Sequence, residues 1–69
     1  MDAKKIGERL KELRESLGQS KRYVAKAIGI SYSGYCQYEY GLKIPGDETK
    51  IKISSYFGVP VGRLFYSEQ

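Results

Sequence analysis

Residues 21–40 read KRYVAKAIGISYSGYCQYEY, two short helical patterns that meet across a turn at Ala25, Gly29 and Ile30. Ser20 offers a side-chain oxygen to the free amides at the start of the first helix. On that helix Val24, Ala25 and Ile28 fall on one face at helical spacing. Gly29 ends it, because glycine readily takes the positive φ that turns a chain out of a helix. The small side chain of Ala25 lets a second helix cross closely. Ser31 caps that second helix, whose inward positions are Tyr35 and Tyr38. Tyr32, Ser33, Cys36, Gln37 and Tyr40 then face outward. Short polar groups and aromatic rings on a rigid, capped helix suit a DNA groove.

The flanking sequence supplies a frame for this pair. Asp2 can cap a preceding helix of about four turns, with Ile6, Leu10, Leu13 and Leu17 as its apolar stripe. Gly18 closes that helix. Gly41 ends the second helix of the central unit, and residues 42–46 form a loop in which Pro45 imposes an extended approach. A fourth helix begins near Asp47, where Asp47 and Glu48 favour its positive end. Ile51, Ile53 and Phe57 give it an apolar side, and Gly58 stops it. A last short helix starts at Pro60 or Val61 and is anchored by Val61, Leu64 and Phe65. No segment alternates with a period of two, so the reading is all-α, five helices and no sheet. No linker, repeat or low-complexity stretch interrupts residues 1–69, which read as one small domain with residues 21–40 at its centre.

Three stretches, IGERLKELRESLG (6–18), SKRYVAKAIGIS (20–31) and YEYGLKIPGDETKIKISSYFGV (38–59), together resemble the phage-repressor, or xenobiotic-response-element, family of Cro/repressor-like helix-turn-helix regulators. The resemblance runs from about Ile6 to Phe65. It implies a five-helix, lambda-repressor-like DNA-binding domain. It also implies a sequence-specific transcription regulator of double-stranded DNA, a repressor acting as a homodimer on a palindromic operator. Tyr32, Ser33 and Gln37 match positions at which family members touch base edges, and Cys36 shares their face. Gln37 can pair bidentately with adenine, Ser33 can serve a base or a phosphate, and Tyr32 can offer its ring to a thymine methyl or its hydroxyl to a phosphate. Arg14 and Glu39 match a pair that ties the first helix to the reading helix, with Arg14 close enough to a phosphate to share a donor. Lys43 follows the reading helix at a place where a phosphate is gripped, and Tyr40 lies beside it. The chain departs from the family pattern at Lys21, where many members carry a Gln, at Tyr35 and Tyr38, which replace aliphatic residues, and at Lys50, where a Leu is usually buried.

Lys21 and Arg22 carry an argument of their own. A helix N-terminus disfavours cations, so two of them at the start of a helix suggest an anionic partner such as a DNA phosphate. Surface solvation is their plainer role. Gly34 lacks a side chain on the reading helix, either to admit DNA closely or to make room for a neighbouring tyrosine.

The chain has 69 residues and carries 12 Lys and Arg against 8 Asp and Glu, a net charge of +4, which suits a polyanion without demanding one. It has no histidine and one cysteine, so histidine-based catalysis, a thiolate zinc cage and an internal disulfide are all excluded. The glycines form no phosphate-cradling run. The expectation is a non-enzymatic protein without cofactor, metal or small-molecule ligand. No signal peptide or membrane-length apolar run is evident, so the expected location is the cytoplasm. So thin a core favours a dimer, with Val59, Val61, Phe65 and Tyr66 as candidate interface residues. The alternative function is a protein-interaction module on the same fold, antitoxin-like or antirepressor-like, since seven tyrosines are ample material for an interface.

Overall fold

The computed structural model describes residues 2–67. Among them the chain forms α1 (Ala3–Ser16), α2 (Lys21–Ile28), α3 (Tyr32–Glu39), α4 (Asp47–Phe57) and α5 (Val61–Phe65), with no strand. The three expected N-caps are in place. Asp2 accepts from the amides of Lys4 and Lys5, Ser20 from that of Tyr23 and Ser31 from that of Gly34. At the α2–α3 turn Gly29 has φ 92°, a left-handed conformation that only glycine adopts without strain. Its amide and that of Ile30 both donate to the Ala25 carbonyl. Pro60 sits just ahead of α5 as its N-cap residue.

Two packed clusters share a boundary. Ile6, Leu10, Ile53, Leu64 and Phe65 make the larger one, and Val24, Ala25 and Tyr35 the smaller. Ile28, Tyr38 and Phe57 pack against both and join them. The α1 helix lies on α3 with almost no space between the backbones. A Cβ at Gly7 would overlap the Glu39 carbonyl oxygen and lie 2.7 Å from that of Tyr38. One turn away, a Cβ at Gly41 would lie 2.9 Å from the Cα of Lys4.

Three expectations about burial are corrected. Leu17 is 52% exposed, because α1 ends at Ser16 and the chain leaves the apolar stripe at its C-cap. Ile51 is 62% exposed: neighbouring Lys50 and Ile53 take the inward side of α4. Phe65, expected at a dimer surface, is 1% exposed and closes the core against Ile6 and Leu10.

The buried Lys50 is accommodated by the C-terminal turn. Its Nζ donates to the Tyr66 hydroxyl at 2.8 Å and lies 4.7 Å from the Tyr66 ring centroid and 5.9 Å from that of Phe65. Aromatic faces, one hydroxyl and the Asp47 carboxylate, whose Oδ1 lies 3.9 Å from Nζ, thus replace the water that a buried ammonium loses. Arg9 holds the same turn, donating to the carbonyls of Leu64 and Ser67.

Candidate nucleic-acid interface

The α3 helix has two sides with separate duties. Inward, Tyr35 is fully buried against Val24 and Ala25, and Glu39 is buried beside α1. Arg14 Nε donates to Glu39 Oε2 at 2.6 Å and its Nη2 to Oε1 at 3.1 Å, a forked, charge-assisted pair. Its remaining nitrogen, Nη1, donates to the Gln19 carbonyl at 2.8 Å. The hydrogen bond to Glu39 holds the guanidinium above its ordinary pKa. Arg14 is therefore buried with one N–H of each of Nε, Nη1 and Nη2 engaged inside the protein, so its main duty is to hold α3 while the second N–H of each terminal nitrogen is not used by these bonds. Gln19 extends the brace, since its side-chain oxygen accepts from the Tyr56 hydroxyl on α4 at 2.5 Å.

Tyr35 occupies a position where an aliphatic residue is usual in the family that the sequence resembles. Its hydroxyl is enclosed and makes no hydrogen bond of good geometry, although the Glu39 carboxylate is near. Burial, with Glu39 adding to it, pushes the phenol pKa well above its ordinary value.

Outward, Tyr32 and Ser33 are exposed, and Cys36 and Gln37 are half-buried on the same side. Gly34 faces the cap, because a Cβ there would lie 2.9 Å from Ser31 Oγ. Lys43 stands exposed in the loop after α3. Lys21 and Arg22, the two cations that open α2, are both engaged by tyrosines of α3 and its cap. Lys21 Nζ donates to the Tyr40 hydroxyl at 2.8 Å and lies 4.5 Å from that ring's centroid. The hydrogen bond to Tyr40 raises the Lys21 pKa. The Arg22 guanidinium carbon lies 4.3 Å from the centroid of Tyr32. Cys36, one turn further along, raises the Tyr32 phenol through a side-chain hydrogen bond.

Of the residues predicted to share a site, Tyr32, Ser33, Cys36 and Gln37 lie together on α3, with Lys21, Arg22 and Tyr40 beside them. Lys43 lies on the following loop. Arg14 and Glu39 lie beneath them. Val59 and Val61 are half-buried at the far end of the chain, and Tyr66 is exposed there but tied to Lys50. Sequence reading missed Gly7, Gln19 and the two tyrosine–cation pairs. Gly7 had a local signal, a glycine beside Ile6 in the middle of a helix of good formers. The pairs had none, since they join residues 10 and 19 positions apart.

Two capped helices of eight residues each, packed together across a left-handed glycine turn within a five-helix domain, define the phage-repressor class of helix-turn-helix proteins. The chain belongs to this helix-turn-helix family, whose model matches residues 10–64. It is 43% identical over 54 residues to the SPbeta prophage-derived uncharacterized HTH-type transcriptional regulator YonR of Bacillus subtilis, covering 78% of this chain and 50% of that one. It is 32% identical over 56 residues to the cryptic phage CTXphi transcriptional repressor RstR of Vibrio cholerae, covering 81% of this chain and 50% of the relative. The chain thus spans about half the length of the curated relatives it matches. Two solved structures share the fold. The clp gene regulator ClgR from C. glutamicum superposes with a TM-score of 0.78 at 22% identity, over 93% of this chain and 83% of that one. ComR from Streptococcus suis superposes with a TM-score of 0.83 at 21% identity, over all of this chain and 23% of ComR. No helix among the described residues is long and apolar enough to cross a membrane.

Proposed function

We propose that this chain reads double-stranded DNA through the outward side of α3 and acts in the cytoplasm as a transcriptional repressor, binding as a symmetric homodimer to a palindromic operator. One observation carries the reading: α3 is fixed from behind by Tyr35, Gly7 and the Arg14–Glu39 pair, while on its other side Ser33 is exposed and Gln37 half-exposed. A helix so held can enter a groove without reorganising, and polar side chains on its free side can meet base edges. Gln37 is the residue of choice for an adenine, with Ser33 and Cys36 beside it. Lys21, Arg22 and Lys43 lie on neighbouring elements where phosphates of the same duplex would pass. The prophage and phage regulators among its relatives support the regulatory part.

For the dimer, Val59 borders a groove lined by Leu13, Pro60 and Leu64, with Glu12 and Arg63 of opposite charge at its rim. Opposite charges on one small surface are compatible with pairing to a second copy around a two-fold axis. Selecting bound duplexes from a random pool tests the whole reading. Enrichment of an inverted repeat with half-sites about one helical turn apart is the expected outcome. A protein-interaction module would enrich nothing and would lack the steep fall of duplex affinity with salt.

A further inference from the structure

Lys21 and Arg22 are adjacent in sequence, yet they are drawn toward opposite ends of α3. Arg22 lies over Tyr32, the first residue of that helix, and Lys21 reaches Tyr40, its C-cap residue. The two tyrosines are separated by about 12 Å along the helix axis at 1.5 Å per residue. Ser33 and Gln37 fall between them. Both rings are largely open to solvent, Tyr32 at 42% and Tyr40 at 59% exposure, so core packing does not explain them.

We propose that Tyr32 and Tyr40 are positioning residues that hold Arg22 and Lys21 as two phosphate clamps, one at each end of the reading surface. The proposal rests on the DNA-binding reading above and assigns Tyr32 to a cation rather than to a base. A free lysine or arginine side chain carries considerable rotamer entropy, which binding must remove. A ring or hydroxyl that already restricts the cation lowers that loss. The geometry leaves donors available: a guanidinium held by its face keeps its in-plane N–H groups, and an ammonium giving one proton to a hydroxyl keeps two. Attachment to tyrosines also offsets the unfavourable field at the α2 N-terminus, where the cations face the positive end of the helix dipole.

The test uses the whole chain, a mixed-sequence duplex and a duplex selected from a random pool, each titrated over a series of salt concentrations. Tyr32→Ala is expected to weaken both duplexes equally, by about two- to fivefold, with the salt slope unchanged because the cation is still present. Tyr32→Phe keeps the ring and should restore affinity. In an Arg22→Ala background, which itself lowers the slope by about one, Tyr32→Ala should have no further effect. Tyr40→Ala should behave the same way toward Lys21. Melting curves of each variant separate these effects from loss of fold. A Tyr32→Ala loss that persists without Arg22, or one that changes base preference, overturns the proposal while leaving DNA binding intact. Failure of the unaltered chain to bind any duplex overturns both.

Discussion

At the scale of single residues, α3 separates the side chains proposed to recognise DNA from the side chains that hold the helix in place. Gln37→Ala should relax preference at one position of each half-site and cost about 1–3 kcal/mol on the selected duplex. Competition against duplexes altered at single positions checks this, and an equal loss on every sequence would contradict it. Tyr35 makes a prediction for alkaline solution. Its folded pKa is raised, so the folded chain keeps a proton that the unfolded chain releases above the ordinary phenol value of about 10. The associated stability is therefore complete below that pH and is lost as pH rises beyond it. Tyr35→Phe removes a buried hydroxyl that has no well-formed hydrogen bond, so at pH 8 its stability should lie within about 1 kcal/mol of the unaltered chain. Above pH 10, urea unfolding should show the Phe variant gaining on the unaltered chain. The outward and inward assignments on α3 were legible in sequence because helical spacing separates them. The enclosed hydroxyl was not, since spacing says which side a ring takes and nothing of what its far end meets.

At the scale of elements, the angle of α3 is set by α1. Gly7→Ala places a methyl group against backbone carbonyls that cannot yield as a side chain would. It should destabilise the domain by about 1–3 kcal/mol, read from thermal or urea unfolding, and should weaken duplex binding beyond what the loss of folded protein accounts for. An unchanged melting temperature would mean that the two helices can part without loss. The Arg14–Glu39 pair is the second fastening. Removing Glu39 alone leaves a buried guanidinium without its carboxylate, a loss of about 3–5 kcal/mol. A double-mutant cycle with Arg14→Ala should return a large share of that as coupling, and zero coupling would reduce the two to unrelated charges. All five helices, the three side-chain caps and the glycine stops could be read in the chain, because each is local chemistry within a few residues. The outward turn of Ile51 could not, nor could the partners that receive Lys50 at a position where the resemblance already implies a buried side chain. On α4 the inward turn of Lys50 depends on Phe65 and Tyr66, which supply aromatic and hydroxyl partners from the end of α5 and its C-cap.

At the scale of the molecule, one copy presents one reading helix, and the proposed operator needs two. The end of the chain near Val59 and Val61 is the proposed contact. Val61 is half-buried against the core cluster, so Val61→Glu is read beside its melting curve: it should shift the folded protein toward monomer in sedimentation and lower affinity for an inverted repeat more than for a single half-site. Monomer sedimentation of the unaltered chain at high concentration, with binding as a single copy, removes both the interface and the palindrome. Tyr66 is a poor place for this test because its hydroxyl accepts from the buried Lys50, so a change there also disturbs the core. The expectation that placed Phe65 at the surface failed for a related reason. A five-residue helix has too few turns for periodicity to tell its sides apart, and only the position of α1 decides which one closes the core.

The division of α3 into a held side and a free side also bears on how such a chain can change over generations. Ser33 is exposed and Gln37 half-buried, both away from the core clusters, so on the proposed reading substitutions there disturb the fold less than they alter the operator that is read. Tyr35, Glu39 and Gly7 are constrained together, because altering one moves the surface that the others position. If α3 reads an operator as proposed, new preferences are reachable in single steps at the outward positions, from a scaffold that need not be rebuilt at each step.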